Sequence, residues 1–230
     1  MKINKFISFI ILACLVACAD LQDAMPGMSY SDRTLLKGVQ ACATYSMQKA
    51  VVDLDKQAIG EEFWLSNKRE FQDFEMILKK LKKEDELTEL VALLNQTTEE
   101  VLKLEAQSFN AQISTLHVSE DPEYLMESGF RAITDYYMGN LKIQGHVGDT
   151  MLKVMQENGA QEKFTNLLKL YNDIPYQESP IEFVLHSKLS SFLLNELSDR
   201  MAFHEKELRT NPQLRNTQIL KKTFADYDYM

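Results

Sequence analysis

Glycine, proline and cysteine are all scarce in this chain: eight, five and three among 230 residues. So few chain breakers, with almost no strand-type alternation, exclude a turn-rich sandwich or barrel. Of the three cysteines, Cys14 and Cys18 lie in the N-terminal apolar run. Cys42 alone remains, so no disulfide framework is expected, and a redox role would need a partner thiol that is absent. The four histidines, His117, His146, His186 and His204, lie on different segments or a full helix apart. No Glu-x-x-His or His-Glu-x-x-His pattern occurs, which argues against di-iron and zinc hydrolase chemistry. Glu182 and His186 share a helix face, but one pair without a second reads as a first-turn acid beside a polar histidine. There is no Gly-x-Ser-x-Gly, and Gly145-x-x-Gly148 is too sparse to cradle a phosphate. No cofactor is implied and no metal site is expected. Basic charge is also short, with 25 Lys and Arg against 34 Asp and Glu. That balance gives no footprint for nucleic acid, and anionic headgroups would repel such a chain as a whole.

What is present begins with residues 1–18, MKINKFISFIILACLVAC. Lys2 and Lys5 form a basic start, Phe6 to Val16 an apolar run too short to span a bilayer comfortably, and Leu15-Val16-Ala17-Cys18 closes it. This is the pattern of a signal peptide ending in a bacterial lipobox. Residues 1–17 are expected to be removed, and Cys18 to carry a diacylglycerol and usually a further acyl chain. Two or three chains hold firmly where one binds marginally, since each buried methylene contributes about 0.8 kcal/mol. Cys14 is the weaker site, because Leu12 is bulky where lipoboxes prefer a small or β-branched residue. Ala19 rather than Asp at the second mature position, by resemblance to the lipoprotein sorting rule of enteric bacteria, implies an outer-membrane lipoprotein facing the periplasm. Residues 18–31, with Pro26 and Gly27, read as lipidated cysteine and tether.

From residue 32 to 230 the apolar positions recur at helical spacing, which predicts one all-α domain of about seven or eight helices. Leu36, Val39, Ala43, Met47, Val51 and Leu54 mark the first helix. Gly60 breaks the pattern, with Trp64-Leu65 in a loop or at an element edge. Phe71 to Leu81 marks a second helix ending in the basic stretch Lys79 to Lys83, and Leu87 to Ile113 a long third one. Asp121-Pro122 is an N-cap followed by proline at the first helical position. Phe130 to Met155 outlines another long helix weakened by Gly139, Gly145 and Gly148. Phe164 to Tyr171 is short. Ser179-Pro180-Ile181-Glu182 has a capping box and opens a stripe running to about Arg209. Asn211-Pro212 starts a last helix, with Leu220 and Phe224 packed inward and Lys221 and Lys222 outward near its negative end.

The segment Phe203 to Phe224 resembles the closing signature of a family of bacterial envelope proteins catalogued as domain of unknown function 4197. The matching residues are His204 and Glu205, Arg209, Asn211-Pro212, Arg215, and Ile219-Leu220-Lys221-Lys222-Thr223-Phe224. His204, Asn211 and Thr223 replace the usual Glu, Asp and Val, and Ala225 stands where the family ends in Gly. Ala132 to Tyr137, Leu170-Tyr171-Asn172 and Leu94 to Glu99 resemble further stretches of that family, in order. The resemblance implies an all-helical periplasmic or lipoprotein domain and implies no activity.

Polar residues interrupt several apolar stripes: Asn95 and Thr98, Asn140 and Gln144, and His204. Such groups either lock helices in register or line a pocket. A pocket would place Tyr137, Asn140 and Gln144 around a ligand. The charged residues Glu205, Glu207, Arg209, Arg215, Lys221 and Lys222 have the composition of a solvated, ion-paired surface. Their place in the best-matched segment also makes them the candidate partner site. The expected function is a non-catalytic binding or scaffold module, membrane-attached through Cys18, with an envelope protein as partner. The alternative is a carrier or sensor of an apolar small molecule or lipid; an enzyme is the least favoured class.

Overall fold

The computed structural model describes residues 30–174 and 183–227, so the expected signal peptide, Cys18 and most of the expected tether lie outside the described residues. Among the described residues there are ten α-helices, two short 3-10 turns and no strand. The first helix, α1 (Tyr30–Leu54), begins at the end of the expected tether. Its stripe of Leu36, Val39, Ala43, Met47, Ala50 and Leu54 is fully buried, stepping by three and four as a one-sided helix requires.

The next helix, α2 (Ile59–Ser66), corrects one expectation. Gly60 is not a break but lies within the helix, where a Cβ would stand 2.5 Å from the Asn95 amide nitrogen. Glycine there lets two backbones meet, and Trp64 is buried in the same helix rather than held in a loop. Then come α3 (Lys68–Lys80), closing on Lys79 and Lys80, and α4 (Glu84–Thr115), whose first turn carries Glu84, Asp85 and Glu86. Both charge placements suit the helix dipole. In α5 (Pro122–Glu127) the Asp121 carboxylate accepts from the Glu123 amide at 3.0 Å, the expected cap.

The long helix expected from Phe130 to Met155 is two, α6 (Ala132–Asn140) and α7 (Ile143–Glu157). Leu141 takes extended backbone (ψ 135°) and buries its side chain, while the Asn140 side-chain Nδ2 donates to the Tyr136 carbonyl at 2.7 Å. Burial of one leucine outweighs the continuation of a glycine-weakened helix. After Gly159, at φ 83°, comes α8 (Ala160–Asn172). The capping box at 179–182 lies outside the described residues, and α9 runs Leu185–Thr210. Asn211-Pro212 opens a 3-10 turn (Pro212–Leu214) rather than the last helix; α10 is Gln218–Phe224, capped by the Thr217 hydroxyl accepting from the Leu220 amide at 3.3 Å.

The four long helices pack in a ring, α1 on α4, α4 on α7, α7 on α9 and α9 back on α1. The short helices gather in two groups. One, α2, α3 and α8, packs on α4; the other, α5, α6 and α10, packs on α1, with α6 also against α9.

Candidate functional site

The second group surrounds three buried charged side chains, Glu205, Arg209 and Arg215. On α9 the stripe Leu193, Leu197, Met201, Leu208 is buried, and Glu205 lies on the same line with no exposure at all. A buried carboxylate is costly unless charge and hydrogen bonds replace its water. Here Oε1 accepts from the Ile133 amide at 3.1 Å and Oε2 from the Thr134 amide at 2.7 Å. These are first-turn amides of α6, whose N-cap residue Arg131 supplies no side-chain cap. Glu205 therefore caps α6 from more than seventy residues away, its negative charge on the positive helix end.

Arg209, one turn further along α9, donates Nε and Nη2 to Glu205 Oε1 at 3.0 and 2.8 Å. Its other donors reach the carbonyls of Met126 at 2.6 Å and Leu125 at 2.9 Å, at the end of α5. Arg215 is also buried and closes the chain on itself. It donates to the carbonyls of Leu208 at 3.0 Å, Arg209 at 2.7 Å and Phe224 at 3.3 Å, satisfying the last turns of α9 and α10. Both guanidiniums stand near the Phe224 ring, 5.8 and 5.4 Å from its centroid. The extra positive charge of two arginines over one glutamate meets the negative ends of three helices.

Glu205, Arg209 and Arg215 are thus not the solvated surface that composition led one to expect; that reading is corrected. Three charged side chains on two short sequence stretches tie α5, α6, α9 and α10 together. Lys221 and Lys222 do point outward, on the exposed side of α10, while Leu220 and Phe224 are buried.

The postulated ligand group does not come together. Tyr137 is fully buried, whereas Asn140 and Gln144 are exposed, and Asn140 is engaged by its own helix. Tyr137 instead belongs to a polar patch inside the core. Its hydroxyl, with that of Thr134, is buried without a hydrogen-bond partner among the described residues. Cys42, fully buried one turn from Ser46, feels the Glu205 charge and in turn acts on Tyr137. Burial first, then the Glu205 charge, pushes the thiol well above its ordinary range, against opposing effects of Arg209 and Ser46. Burial likewise raises the Tyr137 phenol.

Two further pairs went unforeseen. Glu105, almost fully buried on α4, accepts from the Thr150 hydroxyl at 2.5 Å and has the exposed His146 ring 3.6 Å away. His204 Nε2 sits 2.7 Å from Asp53 across α1 and α9. The one available signal for Glu105 was its place on the Leu94, Val101, Phe109 face of α4. Asn95 meets the Glu61 amide at 2.9 Å, so it sets helix register. Among the described residues no group of three or more His, Cys, Asp or Glu is arranged to hold a metal ion, and no helix is long and apolar enough to cross a membrane.

Residues 23–225 match the family described as "Protein of unknown function (DUF4197)". The chain belongs to the DUF4197 family. No curated protein and no solved structure matches it. In this DUF4197 chain two of the segments that carried the resemblance meet in space: the C-terminal signature supplies Glu205, Arg209, Arg215 and Phe224, and Ala132 to Tyr137 supplies the amides that Glu205 caps.

Proposed function

We propose that this DUF4197 protein is a lipid-anchored, periplasm-facing module of the bacterial envelope that binds or scaffolds another envelope component without catalysing a reaction. The attachment rests on the lipobox at Cys18 and the outer-membrane assignment on Ala19. The observation that carries the non-catalytic reading is the state of the signature residues. Their donors and acceptors are engaged with backbone and with one another, so they stabilise a shape and leave recognition to the exposed faces. Crosslinking of intact envelopes followed by recovery of the tagged chain tests this. One partner recovered repeatedly, and lost when Cys18→Ser releases the protein from the membrane, is the expected result; repeated recovery of no partner overturns it.

The carrier reading has one observation of its own, the buried hydroxyls of Thr134 and Tyr137 on α6, which have no partner among the described residues. Buried hydroxyls of this kind acquire partners, whether water or a bound molecule. Native mass spectrometry of the purified protein separates the two: added mass that disappears in Tyr137→Phe supports a carrier, and the bare chain mass supports the module.

A further inference from the structure

Acidic as the whole chain is, its charge is not evenly spread. Residues 33–52 contain no Asp or Glu, and neither do residues 208–225. The first stretch is most of α1 and the second runs from the end of α9 through α10. The fold packs them together so closely that a Cβ on Gly38 would stand 1.9 Å from the Thr223 hydroxyl oxygen. Lys37, half-buried, adjoins Gly38 on α1 with Arg33 one turn before it, and the exposed Lys221 and Lys222 immediately precede Thr223 on α10, so this contact sets the two basic pairs beside one another. Arg33, Lys37 and Lys221 form no ion pair with a described carboxylate. The acids that end the two stretches are Asp32, Asp53, Glu207 and Asp226, and Glu123 and Glu127 lie on the neighbouring α5.

This basic patch also occupies a particular place along the chain. The first described residue, Tyr30, follows Cys18 by a short linker, which at about 3.5 Å per residue reaches some 40 Å when fully extended. Arg33 is in the opening turn of the helix to which the linker connects. The chain therefore enters the domain through α1, one of its two acid-free stretches.

We infer that the α1–α10 face rests on the anionic headgroups of the membrane that holds the anchor, orienting the domain against the bilayer. The inference rests on the lipid-anchor reading above. Each Lys or Arg near an anionic surface strengthens association about fivefold, and the effect fades within a Debye length and with salt. The lipid supplies the attachment; the patch supplies the orientation. The overall negative charge then helps, because it turns the remaining surface away from the headgroups.

The test uses the full lipidated protein in vesicles of phosphatidylcholine alone and of phosphatidylcholine mixed with phosphatidylglycerol. Amine acetylation read by mass spectrometry reports Lys37, Lys221 and Lys222, with Lys80 and Lys153 as controls elsewhere on the surface. At low salt the three patch lysines should be acetylated about tenfold more slowly on the anionic vesicles. High salt should abolish the difference, and the controls should be unchanged. Equal acetylation of the patch on both vesicles overturns the inference, as does equal slowing of patch and controls. The variant Lys37→Gln/Lys221→Gln/Lys222→Gln should remain attached, while its Arg33 region loses protection from hydrogen exchange on anionic vesicles. The corresponding Lys→Arg variant should retain that protection. If the protein fails to stay on neutral vesicles, the anchor reading fails separately. Co-sedimentation with the anionic vesicles, lost in the Gln variant, still decides the patch.

Discussion

The two groups of short helices are held by opposite kinds of force. Around α2, α3 and α8 the contacts are aromatic: Trp64 stacks on Phe71 at 4.0 Å, Phe71 meets Phe183 at 4.9 Å, and Phe74 meets Tyr171 at 5.5 Å. Around α5, α6 and α10 the contacts are the nine hydrogen bonds of Glu205, Arg209 and Arg215. The apolar burial these rings supply is non-directional and proportional to area, so it degrades gradually as area is removed. A buried charge network is all-or-none, because removing one member leaves the others desolvated and unpaired. The aromatic group should tolerate conservative change. The clasp should not.

The largest expected effect follows from that contrast. Glu205→Gln keeps size and shape, yet it leaves Arg209 as a buried cation without its counter-charge, so the loss should be about 3–5 kcal/mol. Denaturant unfolding measures it, and a loss below that of an aromatic truncation would break the comparison. Each region also has a glycine at a close approach. Gly60→Ala drives a methyl into the α4 backbone and should cost about 1–3 kcal/mol. Gly38→Ala meets the Thr223 side chain instead, so Thr223→Ala should restore part of its loss.

Next comes Phe71→Leu, a conservative change in the aromatic group, expected to cost about 1–2 kcal/mol with unfolding still two-state. A smaller effect attaches to Cys42. Its folded thiol is raised above the ordinary 9.0, so the folded state stays protonated where the unfolded chain ionises. The stability from the neutral thiol is therefore full below pH 9 and is lost as pH rises beyond it, at about 1.4 kcal/mol per pH unit at most. Native protein should resist thiol reagents at neutral pH, and Cys42→Ala should flatten the alkaline part of the stability profile. Smallest of all, Lys221→Gln/Lys222→Gln should leave stability within about 1 kcal/mol, because exposed charges contribute little. Adding Arg215→Gln to that pair should bring a loss of the Glu205 class, since Arg215 is buried and they are not.

How far each feature was legible depends on the distance between its parts. The buried stripes of α1, α4 and α9 and the Asp121-Pro122 start involve residues three or four apart, and those were readable. So were the inward Leu220 and Phe224 beside the outward Lys221 and Lys222. The split at Leu141 was not, because local periodicity continued across it and only burial of the leucine ended the turn. Glu205 and Arg209 looked like an ordinary i,i+4 surface pair for a related reason. A carboxylate reads as exposed until its partners are known, and those partners are backbone groups with no side-chain signature.

By itself the amino-acid sequence determined the all-helical class, the family, the positions of the apolar faces and the overall acidity, since each is a sum over residues or a pattern within a few turns. Tertiary structure decided which charges are interior. Glu205 reaches amides 71 and 72 residues away, and Arg209 reaches carbonyls 83 and 84 residues away. It also decided that two acid-free stretches meet through Gly38 and Thr223. Burial and proximity are properties of pairs brought together by folding, and spacing along the chain carries no record of them.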